Sequence, residues 1–363
     1  MTSNETDQPP PGQGPRPRRR PRYSGTHPKR FEERYKELAP EAHPGIHEHV
    51  RAQGRTPAGT HVPVLVAEVL EHLAPAPGEA VVDCTVGYGG HAEAFLKRIG
   101  PKGRLVGFDV DAAELERTRA RLAPLGGRTV LHRGNFAGID RALAQDRIDE
   151  CDVIFADLGT SSMQVDDPAR GFSYKHDGPL DMRMDDRLHW TAADLLARLS
   201  AEGLSAALLE LCDEPDHEAI AHRIVAGRAK RPLRRTKDLA HLVLEAKGIS
   251  AGRWRRRSAD ESGDLHPAAR TFQALRILVN DELSALGQLL RVAPSCLKPG
   301  GRIGIISFQS GEDRLVKQSF RDGLRAGVYE AASDEVIRPG PEERRANPRS
   351  ASAKFRWARK APE

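Results

Sequence analysis

From Thr60 onward the chain alternates short apolar runs with stretches of helical spacing. Ala80–Asp83, Leu105–Asp109, Thr129–His132 and Val153–Asp157 read as strands. Helices are expected from Gly90, from Ala112 and near Ile139. That alternation predicts a parallel sheet with crossover helices. It then stops. Residues 166–265 carry helical stretches such as Ala192–Leu199, Leu204–Leu211 and Leu239–Ala246, without a clear strand. A long helix is expected from Arg270 to Val292, its core-facing stripe made by Phe272, Leu275, Val279, Leu283, Leu286 and Leu290. The sheet signal returns at Arg302–Phe308. A helical insertion (166–265) interrupting one α/β domain (59–165 and 266–363) explains this order better than two consecutive domains.

Residues 1–58 break the pattern in another way. They are rich in Pro, Gly and charge, and read as a disordered basic arm with a short helix around Phe31–Leu38. His43, His47 and His49 fall in this arm without a fourth ligand, which argues against a metal site.

Composition narrows the class. The 363 residues are 39% hydrophobic and 29% charged, enough for one large core and a smaller second one. Cys84, Cys151, Cys212 and Cys296 are scattered with no C-x-x-C pair, so a disulfide framework or thiolate zinc site is not expected, and a reducing cytoplasm is. No apolar run approaches the roughly 18 residues of a membrane span. A net charge of +5 and a pI near 9.1 permit a nucleic-acid partner without establishing one. Much of the charge is clustered, at Arg16–Arg22, at Arg253–Arg257 and near the C-terminus.

The strand ends carry the candidate chemistry. After the first strand comes Asp83-Cys84-Thr85-Val86-Gly87-Tyr88-Gly89-Gly90-His91-Ala92. Its Gly87-x-Gly89-x-x-Ala92 spacing fits a dinucleotide fingerprint, and NAD is the first reading. NAD, however, presents an anionic pyrophosphate to the helix N-terminus. S-adenosylmethionine carries a sulfonium and an ammonium, and the Asp83 carboxylate suits these cations better. The second strand ends in Asp109, an acceptor for ribose hydroxyls. The third is followed by Gly134-Asn135-Phe136, whose ring can pack on adenine. The fourth ends in Asp157-Leu158-Gly159-Thr160-Ser161-Ser162, a polar cluster where such folds place chemistry. Asp83 as a helix cap and Phe136 as a core aromatic are the bland alternatives. Four strand ends with suitable groups in order favour S-adenosylmethionine.

Several stretches then resemble the bacterial 16S rRNA cytosine-N4 methyltransferase family: His61-Val62-Pro63-Val64-Leu65, Gly89-Gly90-His91, Asp157–Ser162, Arg170-Gly171-Phe172-Ser173, Asp177–Asp185, His266–Arg276 and Asn347-Pro348-Arg349-Ser350. The similarity runs from His61 to about Lys360. It implies a class I (Rossmann-like) S-adenosylmethionine-dependent methyltransferase with an inserted helical domain. It also implies a cytoplasmic enzyme that methylates N4 of a decoding-region cytidine. Cofactor contacts carry over to Gly89, Gly90, His91, Asp109, Phe136, Asp157 and Gln164. The implied partner is 16S rRNA within the small ribosomal subunit, with room for a homodimer.

Cytosine N4 is a poor nucleophile because its lone pair is delocalised into the ring. Asp157 is the first candidate to accept an N4 hydrogen, with Ser161 and Ser162 orienting the base. The alternative is that Asp157 only holds the cofactor. Arg183, Arg270 and Arg276 read equally as phosphate contacts or structural ion pairs. The chain departs from the family pattern at Gln309, where His is usual, at Gly311, and at Thr160. Gln309 and Gly311 therefore support a second reading, a catalytically weak RNA- or ribosome-binding assembly factor. A small-molecule methyltransferase fits less well with the basic clusters and the long insertion.

Overall fold

The computed structural model describes residues 62–250, 252 and 266–362. The N-terminal arm with its three histidines, the basic run Arg253–Arg257 and the helix expected at Phe31–Leu38 lie outside the described residues.

The four apolar runs form the parallel strands β1 (Ala80–Asp83), β2 (Arg104–Asp109), β3 (Arg128–Arg133) and β4 (Cys151–Asp157). Between them run the helices α1 (Val66–Leu73, ahead of β1), α2 (Gly90–Ile99), α3 (Ala112–Leu122) and α4 (Ile139–Gln145). After β4 come α5 (Ser162–Asp166), α6 (Ala192–Arg198), α7 (Ala201–Cys212), α8 (His217–Lys230) and α9 (Thr236–Ala246). Then follow α10 (Ala269–Asn280), α11 (Glu282–Cys296), β5 (Leu297–Ser307), α12 (Ser310–Arg325), β6 (Tyr329–Ala332), α13 (Pro341–Ala346) and β7 (Lys354–Lys360).

The sheet has seven strands in the order β3-β2-β1-β4-β5-β7-β6, with β7 antiparallel to both neighbours. This is the class I methyltransferase arrangement. The order reverses between β1 and β4, so the groups at their carboxyl ends, Asp83 and Asp157, flank the crevice where open α/β sheets bind ligands. Apolar side chains cover both faces. Val82, Ile154 and Ile305 belong to one cluster with Leu286 and Leu290, and Val81, Val153 and Phe155 to another with Phe95 and Leu73.

The single helix expected from Arg270 to Val292 is two. Asp281 adopts a left-handed conformation (φ 51°) between α10 and α11. The apolar stripe splits just beyond it, after Leu283. Phe272, Leu275 and Val279 join a third cluster with residues of α6 to α9, whereas Leu286 and Leu290 pack on the sheet. A continuous stripe of helical period looked like one face of one helix. In fact it serves two cores, and the break turns the chain between them. The local cost of a non-glycine left-handed residue, roughly 1–2 kcal/mol, is small beside that burial.

No described helix is long and apolar enough to cross a membrane. The four cysteines are buried and not joined to one another.

Candidate functional site

At the carboxyl edge of the sheet a cavity of about 460 Å³ opens between the strand ends and the loops that follow them. Gly87, Gly90, His91, Asp109, Phe136, Asp157, Ser161 and Gln164 all line it. Gly89 does not; it forms the turn behind the wall. At φ 86° it caps α2, and a Cβ there would sit 3.0 Å from Thr118 Cγ2. Gly90 is small for a different reason. A Cβ would lie 2.8 Å from Pro63 Cγ, so this glycine lets the Val62-Pro63-Val64 segment close over the turn. That segment is held by the C-terminal part of the chain: Asn347 Nδ2 donates to Val62 O (3.2 Å), and Leu65 N donates to Glu343 Oε1 (2.8 Å).

Asp109 ties the glycine turn to β2. Its carboxylate accepts the Gly87 N–H at 2.9 Å and the Asp111 N–H at 2.8 Å. Burial pushes its pKa up to about 6, against the pull of these two donors. Each oxygen retains a lone pair for a further donor. Phe136 opens a short turn capped by Asn135, and its ring packs on the sheet cluster while facing the cavity. It is thus both core aromatic and wall.

Asp83 is 1% exposed at the end of β1. Oδ1 accepts the Thr85 N–H at 3.1 Å, and Oδ2 has no partner. Burial, reinforced by the charge of Asp109, raises its pKa to about 7. It is a strand-end carboxylate, not a helix cap. Across the crevice, Asp157 Oδ1 is also buried and without a partner. Burial pushes the Asp157 pKa well above the usual carboxylate range, with the charges of Asp83 and Glu312 adding to it. His91 Nε2 bonds Val64 O at 2.9 Å, so that nitrogen carries the hydrogen. Nδ1 then presents its lone pair to Asp157 Oδ2, 3.8 Å away.

Ser161 and Gln164 have structural duties. Ser161 and Gln164 form a reciprocal capping box on α5, with Gln164 N donating to Ser161 Oγ at 3.2 Å and Ser161 N to Gln164 Oε1 at 3.1 Å. The Ser161 hydroxyl keeps its proton for donation into the cavity. Ser162 begins α5. Arg183 and Arg276 are ion-paired. Arg183 clasps Asp181 through Nε and Nη2 (2.8 Å each), and Arg276 clasps Glu282 in the same way (2.8 Å each). Both thus serve as structural ion pairs. Arg270 donates to Asp213 O at 2.7 Å.

Sequence reasoning missed the residues that join the helical layer to this site. Asp111 caps α3 and receives Arg170 Nη1 at 2.6 Å, while Arg170 Nη2 donates to the Arg183 and Met184 carbonyls. Asn280 accepts from Met184 N (2.7 Å) and donates to Met182 O (2.8 Å). Together they pin residues 182–184 to the cavity wall. The Arg170–Ser173 and Asp177–Asp185 stretches signalled that something was held there, but not by what. Gln309, which caps the start of α12, accepts from Gln273 Nε2 at 2.6 Å and lines the cavity.

The charge of the lining discriminates between ligands. Asp109, Glu114, Asp157, Asp185, Glu282 and Glu312 face only two arginines, Arg276 and Arg349, and both are paired, with Glu282 and Asp166. Such a lining repels a pyrophosphate and attracts a cationic ligand.

The comparisons with known proteins agree with this geometry. The model of the MraW methylase family matches residues 58–361. A Lachnoclostridium phytofermentans protein named ribosomal RNA small subunit methyltransferase H 1 is 44% identical, over 98% of this chain and 96% of its own. An Alkaliphilus metalliredigens protein, ribosomal RNA small subunit methyltransferase H 2, is 43% identical over 94% of this chain and 97% of its own. Ribosomal RNA small subunit methyltransferase H of Syntrophotalea carbinolica is 47% identical over 74% of this chain and 82% of its own.

Proposed function

The chain belongs to the MraW methylase family, and from that premise we propose that it methylates N4 of a cytidine in the decoding region of 16S rRNA, within the small ribosomal subunit. The coarser statement, a methyltransferase acting on small-subunit ribosomal RNA, follows the names of relatives that cover nearly the whole chain. The cofactor is S-adenosylmethionine. The cavity fits it: Asp83 and Asp157 each hold an unpartnered buried oxygen at the switch point, and the lining is acidic.

When bound, S-adenosylmethionine supplies an electrophilic methyl group on a sulfonium. The chain's own residues do the rest. Asp83 and Asp157 offer negative charge for the amino-acid end, Asp109 offers acceptor capacity for the ribose, and Phe136 offers a ring for adenine. The observation that carries the reading is Asp157 Oδ1, a buried carboxylate oxygen without a partner in the wall of the cavity. An N4–H bonded to it concentrates the amine lone pair on nitrogen, opposite that hydrogen. Burial raises the Asp157 pKa, which makes the ionised carboxylate a stronger hydrogen-bond acceptor. Ser161 and Gln309 line the same cavity, and in this reading their side chains donate to the cytosine carbonyl or ring nitrogen. A target base must leave its stack to reach this depth, and the helical layer of α6 to α10 is suited to hold the displaced strand.

Nucleoside mass spectrometry of 16S rRNA, from cells with and without the gene, tests the reading. Loss of N4-methylated cytidine on deletion, restored by wild type and not by Asp157→Ala, is expected. An unchanged nucleoside profile overturns it. Purified protein that binds small-subunit particles and S-adenosylmethionine yet transfers nothing would favour the assembly-factor reading that Gln309 raises.

A further inference from the structure

Beyond the cavity wall the chain exposes an aromatic side chain that the proposed chemistry does not use. Leu188 lines the cavity, and two residues later Trp190 is 39% exposed. It is the one aromatic among the large apolar side chains exposed in the described residues. The Arg198 guanidinium lies 3.8 Å from the centre of its ring, and the His189 ring stands at 84° to it, 4.4 Å away. The other arginines of this region are committed: Arg133 to Asp185 and Asp186, Arg183 to Asp181, and Arg187 to Asp185. Arg198 has no carboxylate within ion-pair distance among the described residues.

The platform is rigidly mounted. Arg183 Nη1 donates to Leu188 O at 2.8 Å, and the Thr191–Asp194 capping box fixes the start of α6 directly after Trp190. A large aromatic left in water at such a fixed place forgoes burial that nearby apolar side chains of α6 obtain, which points to an occupant.

We propose that Trp190, with Arg198 stacked on it, is a stacking platform for the RNA nucleotide adjacent to the one whose base enters the cavity. This rests on the RNA reading above. Aromatic faces accept any base, and a guanidinium beside them offers charge to the phosphate and a second planar surface. The spacing suits the role. Two residues span at most about 7 Å, the reach of one nucleotide step in an extended single strand. A protein partner is the poorer fit, because the exposed apolar area is essentially one ring and the uncommitted group is cationic.

The experiment uses the full chain and two readouts. A fluorescently labelled single-stranded RNA with a central cytidine is titrated, and methyl transfer to small-subunit particles is measured. Trp190→Ala should bind the RNA about tenfold more weakly and raise KM for particles, with kcat and S-adenosylmethionine affinity close to wild type. Trp190→Phe should recover most of the loss. Arg198→Gln, which keeps the ring, should also weaken RNA binding and reduce its salt dependence. The proposal is overturned if Trp190→Ala, folded by its melting temperature, binds the RNA like wild type. It is equally overturned if Trp190→Phe is as weak as Trp190→Ala, or if only binding to a protein of the particle is lost. A wild type that transfers nothing to cytosine N4 would defeat the proposed function, while the RNA titration would still decide the platform.

Discussion

Asp83→Asn separates the electrostatics of the site from its catalysis. In the folded protein Asp83 is 1% exposed, and its pKa is raised from an ordinary 3.8 to about 7, first by burial and then by the Asp109 charge. A carboxyl group whose pKa is higher folded than unfolded favours folding only while protonated. The protein therefore feels no penalty below about pH 4, a growing one as pH rises through about 7, and the full one above that. At about 1.36 kcal/mol per pH unit, the rise from 3.8 to about 7 amounts to roughly 4 kcal/mol at pH 8. Asparagine keeps an acceptor for the Thr85 N–H and cannot ionise. Its buried amide adds a cost of about 1–3 kcal/mol that does not vary with pH. Urea unfolding of the unliganded protein, repeated from pH 4 to pH 8, should show the variant gaining on wild type by roughly 4 kcal/mol across that range. The same substitution should weaken S-adenosylmethionine binding at pH 8, where wild type presents the negative charge. Stability curves that stay parallel from pH 4 to pH 8 would refute the argument.

Asp157→Asn should slow single-turnover methyl transfer at saturating cofactor more than it weakens cofactor binding; loss of binding with an unchanged rate would make Asp157 a cofactor ligand only. Gly90→Ala places a Cβ 2.8 Å from Pro63 Cγ and should cost about 1–3 kcal/mol in thermal unfolding, with a matching loss of cofactor affinity as the covering segment lifts. Gln309→His should change the rate of transfer to small-subunit particles by less than about tenfold, roughly 1.4 kcal/mol, because Gln309 already supplies hydrogen bonds at that position. Rescue of an otherwise dead wild type by that histidine would show instead that a titrating group is required.

The central parallel strands β1, β2 and β4 were legible because they are largely buried and read as near-continuous apolar runs; β1 was bounded to the residue, and β4 was short by two. The last strand was not. β7 reads Lys-Phe-Arg-Trp-Ala-Arg-Lys, and its charges hide the buried Phe355 and Ala358. One of those charges, Arg356, is 6% exposed, and its Nε meets Asp313 at 2.7 Å. A buried arginine is tolerated only with such a partner. The partner lies 43 positions away, on α12, where no local pattern can announce it.

The same distinction governs the site. Asp109, Phe136 and Asp157 were readable as cavity residues because a strand end is local: the chain runs to the edge of the sheet, stops, and what stands there meets the crevice. What closes the crevice is not local. Arg170 reaches back 59 positions to Asp111, Asn280 reaches 96 to Met184, and Asn347 reaches 285 to Val62. None of these has a spacing rule, since each satisfies a backbone or capping group whose exposure exists only once the fold is formed. The same applies to Arg183 and Arg276, which the sequence left open between phosphate contact and structural ion pair. Read along the chain, an arginine in a basic protein suggests phosphate, but an arginine beside a cavity rich in carboxylates is needed to neutralise one of them. Arg276 does so for Glu282, at 2.8 Å through both nitrogens. With Arg276 spent inside, the RNA contact proposed above falls to cations on the outer rim, such as Arg198 over Trp190, which has no carboxylate within ion-pair distance among the described residues.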